Sequence, residues 1–267
     1  MKFLLLLTTI SSLIASPLRT LEKKLIPKYN YIIGVDEAGR GALAGPVTAA
    51  AVCATYNLKN SYNNQNDNNN NDFDINSIDL NALMIEGVND SKILSAKRRE
   101  KIYEIITSQS PSSILKSNSI PTHENNNVIY SCKFINEKTI DEINILEASM
   151  LAMKQSIEDL ITTYKLESNE CYAIIDGNKT PTDMSISTRP LIKGDSLCYP
   201  CSLASIIAKV SRDRFMIDMN EIYPEYGFDK HKGYATKQHI MAIHKYGPSP
   251  IHRLSFKPIK GRDSSHN

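Results

Sequence analysis

The chain carries almost no charge surplus: 31 basic residues against 29 acidic leave a net +2 over 267 residues. This excludes a uniformly polycationic nucleic-acid binder, so any basic surface must be local. Cysteine is sparse as well. Five of them, odd in number and irregularly spaced, do not form a disulfide framework. Cys198 and Cys201 make a lone CxxC with no second pair and no nearby histidine, which argues against a zinc site. Beyond the N-terminus no segment is apolar enough to enter a membrane. What remains, 41% hydrophobic and 22% charged residues, is enough for one large domain with a sizeable core.

The N-terminus stands apart. Met1-Lys2 precedes Phe3-Leu4-Leu5-Leu6-Leu7, and small residues follow up to Ala15-Ser16. A basic start, a short apolar stretch and a small-residue cut after Ala15 resemble a secretory signal, with Leu13 an imperfect fit three positions before the cut. The stretch is too short to span a bilayer, which needs about 20 apolar residues. A frayed tail on a cytoplasmic protein is the alternative. Residues 1–27 are therefore set apart from a domain spanning 28–262, with 263–267 as a tail.

Asparagine dominates Asn63–Asn71 and supplies no apolar surface to offset ordering entropy, so 57–81 reads as a disordered surface insertion. The Ser-, Asn- and Pro-rich stretch 111–127 reads as a second loop insertion. Around them, strands are expected at Tyr31–Glu37, Val47–Ala54, Val128–Phe134, Cys171–Ile175 and Arg189–Lys193, the first two forming a hairpin. Helices are expected at Ser95–Thr107, Thr139–Tyr164, Leu203–Met219 and Thr236–Lys245. The pattern is α/β with a mixed sheet.

Asp36 and Glu37 close an apolar strand side by side, and Gly39-Arg40-Gly41 follows. Adjacent carboxylates repel and resist burial, so they call for a cation, while a glycine turn with one guanidinium suits a phosphate. Asp176 and Asp195 also follow apolar strand-like runs beside glycine. Each alone suits a turn; together the four would hold two divalent metals at converging strand ends, and oxygen-only ligands favour Mg²⁺ or Mn²⁺. Two look-alikes fail. The last glycine of Gly39–Gly45 comes one residue late for a dinucleotide fingerprint, and Pro46 leads into a strand. Gly194-Asp195-Ser196-Leu197 matches a short esterase signature but has no histidine nearby.

These residues resemble the type 2 ribonucleases H, and the bacterial-type ribonuclease HII branch in particular. Asp36-Glu37-Ala38-Gly39-Arg40-Gly41 with Gly45-Pro46 looks like the first signature of that family, and Asn89-Asp90-Ser91-Lys92 followed by Leu94–Arg99 like its second. Ile140–Met150, Ile175-Asp176-Gly177-Asn178, Lys193-Gly194-Asp195, Ala204–Asp213, Tyr226-Gly227-Phe228 and His231–Thr236 are similar too. The resemblance implies a ribonuclease H-like fold, a central mixed sheet flanked by helices with a helical C-terminal part. It implies endonucleolytic cleavage of RNA within RNA–DNA hybrids and 5′ of single ribonucleotides in duplex DNA, by two metal ions, leaving 3′-hydroxyl and 5′-phosphate ends. By the same likeness Asp36, Glu37, Asp176 and Asp195 are catalytic and hold Mg²⁺ or Mn²⁺. Gly39, Arg40 and Gly41 grip the ribonucleotide, Lys92 contacts phosphate, and Tyr234 stacks at the RNA–DNA junction. Cys198–Leu203 departs from the small apolar run usual in that family and touches the packing behind Asp195.

The rivals are a catalytically silent duplex binder and a strand-transfer nuclease on the same scaffold. The complete carboxylate set speaks against the first, the glycine turn and Tyr234 against the second. A monomer without membrane attachment is expected. A bacterial-type enzyme with a signal-like leader points to an organelle of a eukaryotic cell.

Overall fold

The computed structural model describes residues 20–55, 85, 88, 94–108 and 128–260. Both insertions (57–81 and 111–127), the leader up to residue 19 and Lys92 lie outside the described residues. Five described strands form one sheet: β1 (Tyr31–Ala38), β2 (Val47–Thr55), β3 (Val128–Ile135), β4 (Cys171–Asp176) and β5 (Ser187–Leu191), in the order β3-β2-β1-β4-β5. The β1–β2 and β2–β3 pairs are antiparallel; β1–β4 and β4–β5 are parallel. This is the mixed sheet of the expected ribonuclease H-like fold, with β1 at its centre.

The sheet is covered on both faces. Ala49, Ala51 and Cys53 of β2 pack with Ile33 and Val35 against Ala152, Met153 and Ile157 of α4 (Ile145–Tyr164). Ala50, Val52 and Ala54 face the other way, against Leu203, Ile206, Ile207 and Val210 of α6 (Tyr199–Ile222) and against Ile102 and Ile106 of α2 (Ala96–Ser108). Alanine is a poor strand former in isolation, but small side chains on both faces let two helices approach closely. The approach is closest at Gly34, where an added Cβ would stand 2.1 Å from the backbone nitrogen of Cys201. A glycine inside an apolar strand therefore marks the place where α6 begins.

Three expectations need correction. The helix expected over Thr139–Tyr164 is two helices, α3 (Glu137–Ile143) and α4, separated by Asn144 at φ 68°. Its Oδ1 accepts the N–H groups of Leu146 and Glu147 at 2.9 and 3.2 Å, so the asparagine caps α4 instead of continuing α3. The last strand ends at Leu191, because Lys193 is left-handed (φ 61°), and Asp195 lies in the short helix α5 (Gly194–Leu197) rather than at a strand end. Finally, residues set aside with the leader belong to the packed structure. Helix α1 (Thr20–Leu25) and Ile26 cover Ile32, Ile174, Cys198 and Cys201.

Within α1, Glu22 is wholly buried and accepts the N–H of Tyr199 at 2.7 Å. Cys198 at the N-cap of α6 offers no side-chain cap, so a carboxylate from the chain's far end neutralises the positive helix terminus. Helices α7 (Phe228–His231) and α8 (Lys237–Tyr246) complete the C-terminal part. No helix of the described residues is long and apolar enough to cross a membrane. Glu22→Ala is expected to lower stability by about 1 kcal/mol, or about 2–4 °C in thermal midpoint. Thermal unfolding checks this; an unchanged midpoint would deny α1 a capping role.

Candidate active site

Strands β1 and β4 run parallel and end together, which brings Asp36, Glu37 and Asp176 to one cleft. The cleft, about 430 Å³, is lined by these three with Ala38, Gly39, Arg40, Gly41, Arg99, Ser205, Lys209 and Tyr234. Asp36 is 6% exposed, and its Oδ1 accepts the N–H of Glu37 at 2.7 Å. The hydroxyl of Ser205 donates to the same carboxylate. Burial, then the neighbouring Glu37 and Asp176, hold the Asp36 carboxyl well above the ordinary range. Burial raises Glu37 as well, opposed by Arg40, whose Nη1 stands 3.3 Å from Glu37 Oε1. Asp176 Oδ1 accepts the N–H of Gly194 at 2.7 Å.

Asp195 is placed differently. It is fully buried and lines no part of the described cleft; its carbonyl accepts the Ser202 hydroxyl. It sits one residue beyond Gly194, the partner of Asp176. Among the described residues no three His, Cys, Asp or Glu side chains are already gathered as a metal-holding group. The donor set of the cleft nevertheless fits a hard divalent cation. Its donors are oxygen-only, burial desolvates Asp36 and Glu37, and the carboxylates repel one another, so a dication would be bound where it relieves that repulsion.

The glycine turn is held from below by two buried arginines. Arg212 donates to the carbonyls of Pro46, Ala44 and Lys232, each at 2.9 Å. Arg253 donates to Gly45 and Arg40 at 2.9 and 3.0 Å. Gly39, at φ 90°, has no room for a Cβ, which would lie 2.0 Å from Arg212 Nε. Gly41 is different: a Cβ there meets nothing within 4 Å, so packing does not demand a glycine. Tyr234, 36% exposed, closes the cleft from the opposite loop. Lys209 Nζ and Arg212 Cζ lie 5.5 Å from its ring centre. The Leu43 N–H donates to the Gly233 carbonyl at 2.8 Å, joining the two loops.

Behind Tyr234 lie His231, His239 and His252, and their contacts define each ring's tautomer. His252 Nδ1 accepts from the Ser249 N–H at 2.8 Å, so its Nε2 donates to His239 Nε2 at 3.0 Å. His239 Nδ1 then donates to the Tyr234 carbonyl at 2.9 Å. His231 Nε2 donates to the Tyr226 carbonyl, and its Nδ1 accepts from Gly233. Burial keeps the rings neutral, lowering His239 to about 4 and His252 to about 3.

Sequence reasoning reached Asp36, Glu37, Asp176, the glycine turn and Tyr234, all of which line the cleft. It assigned no role to Arg99, Ser205 and Lys209. Ser205 and Lys209 are four apart on α6 and share a face, but only the helix's position on the sheet says which face matters.

A family model described as Ribonuclease HII matches residues 75–259. The ribonuclease HII of Caldicellulosiruptor bescii is 42% identical over 235 residues, covering 88% of this chain and 90% of the relative. That of Burkholderia cenocepacia is 38% identical over 229 residues, covering 86% and 84%. Among solved structures, ribonuclease H2 from Pyrococcus horikoshii aligns at TM-score 0.56 and 21% identity, covering 86% of this chain and 95% of that one. Bst-RNase HIII in complex with Mn²⁺ aligns at 0.57 and 17%, covering 86% and 68%. At such identities the two structures bear on the fold alone.

Because the unfolded chain protonates histidines near 6.5 while these stay neutral to about 4 and 3, stability is expected to fall as pH drops below about 6.5. His239→Asn should flatten that fall between pH 6.5 and 4 in thermal unfolding across pH. An equally steep fall in the variant would remove His239 as its source.

Proposed function

The chain is a member of the ribonuclease HII family, and from that premise we propose that it cleaves both RNA–DNA hybrids and single ribonucleotides embedded in duplex DNA, 5′ of the ribonucleotide. Membership makes it an endoribonuclease of ribonuclease H type, a metal-binding hydrolase acting on the RNA strand of hybrids. The finer reading rests on one observation: three carboxylates, Asp36, Glu37 and Asp176, line one cleft at the ends of β1 and β4 together with the open face of Gly41 and the ring of Tyr234. With no Cβ and nothing around it, Gly41 lets a sugar approach the backbone, where a 2′-hydroxyl distinguishes ribose from deoxyribose. Tyr234 offers a face for stacking that reads no base.

Asp36, Glu37 and Asp176, with Asp195 one residue from the group that orients Asp176, would hold two Mg²⁺ or Mn²⁺ ions. Such ions, when bound, lower the pKa of water and offset charge on the attacking and leaving oxygens. The chain's own residues do the rest. Ser205 and the Glu37 N–H hold the Asp36 carboxylate in place, and Gly194 does so for Asp176. Lys209 and Arg99 supply positive charge for the phosphate path. In this reading Lys92 adds a further phosphate contact, and Arg40, paired with Glu37, stands ready to move from carboxylate to phosphate. The products would carry 3′-hydroxyl and 5′-phosphate ends, the outcome ribonucleotide excision repair requires.

The complete acidic set disfavours a silent binder, and the glycine turn and Tyr234 disfavour strand transfer. One assay separates all three: a duplex carrying a single ribonucleotide, incubated with Mg²⁺ beside an all-DNA control. Cleavage 5′ of the ribonucleotide alone is expected. Binding without cleavage, or equal cutting of the control, would overturn the proposal. Asp36→Asn should lower the rate about 10³-fold, equivalent to about 4 kcal/mol. It should also raise the thermal midpoint of the metal-free protein near neutral pH. The folded Asp36 carboxyl titrates above its unfolded counterpart, so stability without metal falls as pH rises through that interval, and the asparagine removes the loss. A metal-free midpoint that falls in the variant would contradict this electrostatic account.

The signal-like leader supports delivery to an organelle of a eukaryotic cell. A reporter fused to residues 1–30 should concentrate in one; a diffuse cytosolic signal would remove the idea.

A further inference from the structure

Cys198 and Cys201, left without a role by the sequence, lie at the start of α6, where Cys198 is the N-cap and Cys201 belongs to the first turn. Both are reduced and wholly buried, and their thiols are hydrogen-bonded to each other. Cys201 is pinned, its Sγ against the Ile174 carbonyl at 3.3 Å and its backbone against Gly34. Cys198 has extended backbone (φ −138°, ψ 121°) and lies outside the regular turns of α6, although its N–H and carbonyl are hydrogen-bonded to Gly194 and Ser202. We propose that Cys198 and Cys201 form a redox-active dithiol whose closure to a disulfide slows the enzyme by disturbing the turn that holds Asp176.

The geometry suits closure. A disulfide needs Cβ atoms about 3.5–4.5 Å apart, and residues three apart on a helix are near neighbours at about 5–6 Å, so a small shift of the non-helical Cys198 is sufficient. The oxidant is a small-molecule disulfide such as oxidised glutathione. One protein thiol loses its proton and attacks a sulfur of that disulfide, expelling one glutathione thiolate and leaving a mixed disulfide. The second protein thiol, deprotonated in turn, displaces the remaining glutathione. Two protein thiols are oxidised, one disulfide is reduced, and the two protons pass to the two departing thiolates.

Access is controlled by α1. Leu21, Leu25 and Ile26 pack over the cysteine pair, and Glu22 places a carboxylate at the same helix terminus. Burial and that carboxylate suppress the thiolate of Cys198. When α1 lifts, the helix terminus is left to favour thiolate, and the pair becomes reactive. The consequence for the site follows a short path. The Cys198 N–H donates to the Gly194 carbonyl at 2.9 Å, and the Gly194 N–H holds Asp176 Oδ1 at 2.7 Å. Displacing Cys198 therefore loosens Asp176, without either sulfur touching substrate. This last link rests on the active-site reading above; the dithiol itself does not.

The test treats the full-length protein with oxidised glutathione and reads intact mass, a peptide map and hybrid cleavage. A loss of two hydrogens mapping to Cys198 and Cys201 is expected, with cleavage slowed about tenfold, the low end of what losing a partner of a metal-ligating group costs. Dithiothreitol should restore both. Cys198→Ser should cleave like the reduced parent and form no intramolecular disulfide under the oxidant, and Glu22→Ala should oxidise faster. The proposal is overturned by a stable glutathione adduct, by a disulfide elsewhere, by no change under conditions that oxidise the unfolded chain, or by a 198–201 disulfide that leaves the rate unaltered. If the reduced protein never cleaves a hybrid, the active-site reading fails instead, and the mass result alone judges the dithiol.

Discussion

Two buried guanidinium groups, neither in a salt bridge with a carboxylate among the described residues, hold this structure's working end together. Arg212 and Arg253 carry charge into a space from which water is excluded, and carbonyl dipoles offset much of that cost, five of them within hydrogen-bond distance, with the Tyr234 and Phe256 rings beside the two cations. The five belong to the glycine turn and to the Lys232 loop that bears Tyr234. A lysine could not do this: its ammonium is a point donor, whereas the planar guanidinium addresses several fixed carbonyls at once. Both cations come from residues far from the turn in sequence, so the shape of the loop between β1 and β2 depends on contacts from α6 and the C-terminal segment.

The same region sets carboxylates against that positive floor. Burial and mutual repulsion raise Asp36 and Glu37, and the protein tolerates the strain because each acid has an orienting partner: Ser205 for Asp36, Arg40 for Glu37, Gly194 for Asp176. These partners supply direction but too little charge to satisfy the cluster. A cluster of this kind is destabilising by itself, and a dication would relieve it.

How much of this was legible in the chain depended on the range of the interactions. Asp36 and Glu37 were conspicuous because an adjacent acidic pair after Ile32-Ile33-Gly34-Val35 has no local explanation. The hairpin, β4 and α6 followed from periodicity. Asn144 defeated periodicity because the apolar spacing of α3 and α4 runs straight through a residue whose side chain prefers to cap. Asp195 misled because Lys193 adopts a left-handed conformation that no propensity announces. Glu22, Arg212 and Arg253 were invisible for a different reason: their partners lie 177, 166 and 208 residues away, among them backbone groups that carry no sequence identity.

Gly34 carries a consequence of its own. A hydrogen in place of a methyl group lets the start of α6 sit where a Cβ would be only 2.1 Å from it, well inside ordinary contact. The helix bears Ser205 and Lys209, and the strand bears Asp36 two residues on. Gly34 is therefore a spacing gauge between two plates of the active site: any larger residue would force strand and helix apart by about an ångström at that contact. A single missing methyl group, far below the water line of the cleft, sets how deep the carboxylates lie and how near the helix stands to them.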